Sequence, residues 1–210
     1  MTQLTFLQVP CLADNYAVIV HSPQSGETLL IDAPDAAVIQ AALDQRGWRL
    51  SHLFVTHHHT DHTGGVVALK EKYGCSVAGP EGEADRIPLI DQAVSEKTTL
   101  KFAGLDVHVI ETPGHTLGHI VYVIPNVKVA FTGDTLFSLG CGRIFEGDAQ
   151  GMWASIHKLK ALPGDTEIFC GHEYTAANGR FALSVEPENE ALQARVREVE
   201  ALRSQGKPTL

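Results

Sequence analysis

The chain has 210 residues, 44% of them hydrophobic and 20% charged, which is enough for one large domain or one domain with a short appendage. A formal net charge of -9 argues against a general nucleic-acid-binding surface. The start, MTQLTFLQVPCLADNY, has no basic n-region and no long apolar core, so no signal peptide is expected, and no apolar run is long enough for a transmembrane helix.

Cys11, Cys75, Cys141 and Cys170 are widely spaced and form no C-x-x-C pair, which argues against a disulfide framework or a cysteine zinc site. The expectation is four reduced thiols in a cytoplasmic protein.

Short β-branched runs predict strands over Leu4–Val9, Tyr16–His21 and Thr28–Asp32, with a turn at residues 22–26. The Ala-rich stretch Ala36–Arg46 has helical spacing and stops near Gly47. Ser51–Thr56 predicts a strand, and Thr63–Tyr73 a helix N-capped by Thr63 and stopped at Gly74. Strands are expected at Cys75–Ala78, Thr98–Phe102, Leu105–Glu111, Ile120–Ile124, Val127–Thr132 and Glu167–Cys170. Helices are expected at Met152–Leu162, Thr175–Leu183 and Glu188–Gln205, with a candidate boundary at residues 185–188. Single helices between strands suggest sheets covered by outer helices.

The segment Val55-Thr-His-His-His-Thr-Asp-His-Thr-Gly-Gly65 carries the chemistry. In extended backbone, residues i and i+2 point the same way. His57 and His59 therefore face one point while His58 faces away, and Asp61 and His62 face a second point after the chain bends. Imidazole and carboxylate ligands suit zinc, iron or manganese. So many ligands on so short a backbone fit two ions roughly 3.5–4 Å apart better than one.

Three later segments offer the remaining ligands in similar settings. These are Thr112-Pro-Gly-His-Thr-Leu-Gly-His119, Phe131-Thr-Gly-Asp-Thr135 and Phe169-Cys-Gly-His-Glu-Tyr174, each at the end of an apolar strand. The candidate metal residues are His57, His59, Asp61, His62, His115, Asp134 and His172. Asp134 and Asp61 are the candidate catalytic carboxylates. His119 and Asp32 are expected to support the ligands from behind, although Asp32 also reads as a plain strand-ending turn residue. His21, His52, His108 and His157 read as ordinary surface or hydrogen-bonded histidines.

The set T-H-H-H-T-D-H, T-P-G-H-T-x-G-H, F-T-G-D-T-L-F and G-H-E-Y resembles the metallo-β-lactamase superfamily. Within it the chain is similar to the glyoxalase II (hydroxyacylglutathione hydrolase) family, from about Asn15 to Pro208. Gly140-Cys-Gly-Arg-Ile-Phe-Glu-Gly147 and Cys170-Gly-His-Glu-Tyr-Thr175 carry the more specific part of the likeness.

The resemblance implies an α/β fold, an αββα four-layer sandwich with a short helical C-terminal extension. Residues 1–175 would form the catalytic domain and residues 176–210 the helical segment. It also implies a partition of ligands. His57, His59 and His115 would hold one divalent ion, and Asp61, His62 and His172 the second. Asp134 would bridge both, with zinc the first expectation and iron or manganese the alternatives. Arg143, Phe145 and Tyr174 would contact glutathione. The implied activity is hydrolysis of S-D-lactoylglutathione to glutathione and D-lactate, by a monomer with no nucleic-acid or membrane partner.

Family members continue beyond Gly206-Lys-Pro-Thr-Leu210, so a truncated C-terminus is expected, lacking basic residues that grip glutathione. Two alternatives are a persulfide dioxygenase or other hydrolase of the same fold, and a metal-stabilised protein that binds glutathione conjugates with little turnover.

Overall fold

The computed structural model describes residues 3–209. Met1, Thr2 and Leu210, the extreme ends of the expected division at residues 175 and 176, lie outside the described residues.

The first sheet has six strands in sequential order: β1 (Thr5–Cys11), β2 (Asn15–His21), β3 (Thr28–Ile31), β4 (His52–Phe54), β5 (Ser76–Pro80) and β6 (Gln92–Val94). The first three pair antiparallel and the rest parallel. Helices supply the crossovers that parallel pairing needs. These are α1 (Ala36–Arg46) between β3 and β4, then the single turn α2 (Thr60–Thr63) and α3 (Val66–Tyr73) between β4 and β5.

The second sheet contains β7 (Thr99–Phe102), β8 (Leu105–Glu111), β9 (Ile120–Ile124) and β10 (Val129–Gly133). After the small hairpin β11 (Leu136–Phe137) and β12 (Gly140–Cys141) comes α4 (Ala149–Lys160). Strand β13 (Glu167–Cys170) then adds parallel to β10, giving the order β13-β10-β9-β8-β7. Helices α5 (Thr175–Val185) and α6 (Glu190–Ser204) close the chain.

Side-chain alternation builds four layers from these elements. On β2, Ala17 and Ile19 face α1 and α3, packing with Ile39, Leu43, Val66 and Leu69. Val18 and Val20 face the second sheet, packing with Val109, Tyr122, Ile124 and Phe131. On β9 the outward residues Val121 and Val123 meet Leu159 of α4. A strand buried on both faces reads as continuous apolar sequence, which is why β2, β9 and β10 are apolar nearly throughout. The layers run helix, sheet, sheet, helix, as the resemblance implied. The buried Tyr122 hydroxyl donates to the Val55 carbonyl at 2.8 Å, tying the sheets together beside the histidine segment.

Several boundaries differ from expectation. The helix expected from Thr63 begins at Val66, and Thr63 is not its cap. The Thr63 hydroxyl donates back to the His59 carbonyl at 3.0 Å, and so finishes α2 instead. Helix α4 starts at Ala149 because Asp148 caps it, accepting from the Gly151 N–H at 2.7 Å. Asn189 does the same for α6 through the Leu192 N–H. The short strands β6, β11 and β12 have too few residues to show a period in sequence. Among the described residues no helix is long and apolar enough to cross a membrane.

Leu53 on β4 is fully buried on the sheet face covered by the outer helices. Leu53→Ala is expected to lower unfolding stability by about 2–5 kcal/mol, read as a lower urea midpoint. A loss well under 1 kcal/mol would contradict the layer assignment.

Candidate metal centre

The C-terminal ends of β4, β8, β10 and β13 meet at one edge of the sandwich. The loop after β4 carries His57, His59, Asp61 and His62. The loop after β8 carries His115, the end of β10 carries Asp134, and the end of β13 carries His172. All seven converge, although they are remote along the chain.

The first group is His57, His59 and His115. His57 Nε2 lies 3.1 Å from His59 Nδ1, and His115 Nε2 lies 3.1 Å from the same atom. The second group is Asp61, His62 and His172. His62 Nε2 and His172 Nε2 are 3.3 Å apart, and Asp61 Oδ2 lies 3.7 Å and 3.4 Å from them. Asp134 stands between the groups. Its Oδ2 is 3.4 Å from His115 Nε2 and 3.2 Å from His172 Nε2, while its Oδ1 is 3.4 Å from His62 Nε2.

The outer hydrogen bonds decide which nitrogens carry lone pairs. His62 Nδ1 donates to Asp32 Oδ2 at 2.8 Å, His172 Nδ1 to Asp14 Oδ1 at 2.9 Å, and His115 Nδ1 to the Arg143 carbonyl at 2.7 Å. In the neutral rings the three Nε2 atoms therefore present lone pairs inward. Lone pairs so close repel unless a positive charge lies between them.

The titration behaviour points the same way. Burial pulls the His62 imidazole down, but the Asp134 and Asp32 carboxylates more than offset it and hold the ring well above its usual range. Burial likewise opposes protonation of His172, yet hydrogen bonds to Asp134 and Asp61 push it up to about 10. Burial would raise Asp134, but His62 and His172 hold it well below the carboxylate range. The cluster stabilises added positive charge, which protons or metal cations can supply. A buried Asp134 Oδ1 with no hydrogen-bond partner fits a cation directly. The nitrogen and oxygen donor set fits a divalent ion.

Supporting residues surround this set. Asp32 Oδ1 accepts the Thr56 N–H and Oδ2 the Thr56 hydroxyl, both at 2.8 Å, so Asp32 fixes the base of the histidine loop as well as His62. Its backbone is left-handed, at φ 55°. His119 Nε2 accepts the Asp134 N–H at 3.0 Å, its Nδ1 meets the Thr112 and Thr135 hydroxyls, and its ring stacks on His57. Burial pulls His119 down to about 3, so it acts as a neutral acceptor. His58 points away from the ligand groups to the Glu83 carboxylate.

Sequence reasoning missed several neighbours. Asn15 donates to Asp61 Oδ2 at 3.0 Å, and its neighbour Asp14 orients His172. Asp14 lies in the β1–β2 turn and Asn15 opens β2, both far from the motif in sequence. Gly171 and Gly142 leave room for Asp134. A Cβ at Gly171 would lie 2.5 Å from Asp134 Oδ1, and one at Gly142 would lie 1.8 Å from its carbonyl oxygen. A glycine beside each strand end was visible in sequence, but what it made room for was not.

A cleft of about 690 Å³ opens onto the cluster. Arg143, Phe145 and Tyr174 all line it. The Arg143 guanidinium lies 5.7 Å from the centre of the Phe145 ring. Tyr174 stacks on His172, with ring centres 4.8 Å apart. Burial, with Asp14, Asp134 and Asp61 nearby, pushes the Tyr174 phenol up to about 12, so it remains a donor at neutral pH.

The Metallo-beta-lactamase superfamily model matches residues 10–172, and the Hydroxyacylglutathione hydrolase C-terminus model matches residues 173–210. The chain is 54% identical over 200 residues to a protein of Rhodopseudomonas palustris (strain BisA53) named hydroxyacylglutathione hydrolase, covering 95% of this chain and 78% of that one. It resembles the crystal structure of the BLEG-1 B3 metallo-beta-lactamase, with TM-score 0.74 and 26% identity, over 80% of this chain and 91% of that one. A di-iron-bound form of TTHA1623 also matches, with TM-score 0.66, 26% identity and the same two coverages.

Asp32→Asn keeps the size and the tolerance for left-handed backbone but weakens the acceptor for His62. Metal retention is expected to fall about 10–100-fold, measured by chelator competition. Unchanged retention would show that Asp32 is only a turn residue.

Proposed function

This chain belongs to the metallo-β-lactamase superfamily and, within it, to the hydroxyacylglutathione hydrolases, and we propose how its cleft performs their reaction. It is a metal-dependent thioester hydrolase acting on S-D-lactoylglutathione and releasing glutathione and D-lactate. The observation that carries this reading is two three-donor groups with the Asp134 carboxylate 3.2–3.4 Å from histidines of both, at the floor of the cleft, in a chain whose relatives share the hydrolase name over nearly its whole length. The same naming favours neither a persulfide dioxygenase nor a binding protein with little turnover.

His57, His59 and His115 would hold one divalent ion and Asp61, His62 and His172 a second, with Asp134 between them. The arrangement of two three-donor groups around one carboxylate supports a pair, and zinc suits the donors best, with iron or manganese acceptable. Bound there, the ions would supply a water of lowered pKa and polarise the thioester carbonyl.

The remaining work falls to the chain's own residues. Asp134 and Asp61 are held ionised. For Asp61 the His172 hydrogen bond outweighs burial and keeps the carboxyl below its usual range. As carboxylates beside the ions, both would accept hydrogen bonds from the attacking water and direct it toward the carbonyl carbon. Arg143 is the cation on the cleft wall, suited to a glutathione carboxylate. The Tyr174 phenol donates to the peptide part of the substrate, and Phe145 packs against it. Phe145 supplies no hydroxyl, so the polar grip falls to Arg143 and Tyr174. As the C–S bond breaks, the sulfur leaves as a thiolate. A thiol is acidic enough to leave without a strong general acid, and none is needed here.

We take residues 1–175 as the catalytic domain and 176–210 as the helical segment, a division supported by the break between the two family models at residue 172. The four free thiols suit a reducing cytoplasm, and the acidic balance suits a monomer acting on a small molecule, without nucleic-acid or membrane partners.

Asp134→Ala is expected to abolish S-D-lactoylglutathione hydrolysis and to reduce bound metal, read by thioester absorbance and elemental analysis. Surviving turnover would remove Asp134 from the centre. Arg143→Ala is expected to raise KM about 10–100-fold, the equivalent of one charge-assisted contact, with kcat little changed. A fall in kcat at constant KM would instead place Arg143 in the reacting step.

A further inference from the structure

We propose that Glu83 is a positioning residue that sets the spacing between the two loops holding His57, His59 and His115. This inference rests on the paired-cation reading above. Glu83 comes from a 3-10 turn, Glu81–Arg86, which follows β5 and lies outside the histidine motif. The residue is 3% exposed.

The carboxylate accepts three N–H groups from two loops. Glu83 Oε2 takes the His58 backbone N–H at 2.7 Å and the His58 ring Nδ1 at 2.8 Å. Glu83 Oε1 takes the Gly118 N–H at 3.0 Å. A carboxylate buried so deeply is costly unless it is fully hydrogen-bonded, so these contacts hold the loops as much as they satisfy the acid.

The anchored positions sit beside ligands on both sides. His58 lies between His57 and His59, and pinning its backbone and ring keeps those two aimed together while His58 points out. Gly118 lies three residues after His115 and next to His119, whose ring supports Asp134. Gly118 is also the residue whose missing side chain admits the acid, since a Cβ there would lie 2.5 Å from Glu83 Cγ. The chain of contacts continues outward. His58 Nε2 is 3.8 Å from Glu146 Oε1, and Glu146 takes the Leu117 N–H at 3.0 Å and pairs with Arg86. Glu146 follows Phe145, so the substrate-facing loop is joined to the same strut. The outer contacts of the second group run instead through Asp14, Asn15 and Asp32.

Glu83→Gln keeps the shape but replaces one accepting oxygen with an NH₂ that opposes an N–H. The test uses the full chain, stripped by chelator and titrated with Co²⁺. It is read by visible d–d absorption and chelator competition, alongside kcat and KM. Wild type is expected to bind two Co²⁺. E83Q is expected to weaken one of them about 10–100-fold and leave the other unchanged, lowering kcat with KM within about 2-fold. Asp14→Ala, which touches His172 alone among the ligands, is expected to weaken the other ion, and the double variant both. Gly118→Ala, which displaces the carboxylate without removing it, is expected to reproduce E83Q and serves if E83Q does not fold.

Wild-type affinity for both ions in E83Q overturns the proposal. So does equal weakening of both, or a double variant no worse than one single. A wild-type chain that takes up only one Co²⁺ contradicts the paired-cation reading instead, and Glu83 then stands or falls on whether E83Q weakens that one ion.

Discussion

Imidazole nitrogens and carboxylate oxygens, brought within 3.1–3.7 Å of one another at the edge of two sheets, are the constraint on which the molecule turns. Left alone such groups repel. The outer hydrogen bonds to Asp32, Asp14 and the Arg143 carbonyl hold the inward nitrogens as lone-pair donors. Asp134, deeply buried with one oxygen unpartnered, makes the centre a place that only positive charge satisfies. Affinity for cations is thus built in by geometry that must be held against its own electrostatics.

The sandwich supplies that holding force. Buried apolar residues on both faces of β2, β9 and β10 lock the sheets between helices, so the strand ends cannot drift. Each ligand loop leaves the end of a strand that is hydrogen-bonded into one of the two sheets. Polar struts then fix the loops themselves: Asp32 beneath His62, His119 beneath Asp134 and Glu83 beneath His58. Helix α5 adds to this from the other side, where Asn178 donates to the Ser138 carbonyl and steadies the hairpin that leads to Arg143.

Much of this was legible in the sequence. The i, i+2 rule aimed His57 and His59 together and His58 away, and the structure has that arrangement. The apolar runs before His57, Asp134 and His172 marked strands that end at the cluster, and the helices α1, α5 and α6 fell within a few residues of expectation. The unread part has a common cause. Asp14, Asn15 and Glu83 act through long-range hydrogen bonds, which leave no period and no local pattern. Gly171 and Gly142 matter for an atom they do not touch in sequence. Thr63 was misread because a threonine at a helix edge bonds forward as a cap or backward to a carbonyl, and only the surrounding loop decides which.

Anomalous diffraction from crystals of the zinc-loaded chain, collected on both sides of the zinc edge, addresses the centre most directly. Two zinc peaks roughly 3.5–4 Å apart are expected, one against His57, His59 and His115, the other against Asp61, His62 and His172, with Asp134 touching both. A single peak, peaks away from these side chains, or a loaded crystal in which the side chains diverge would contradict the account.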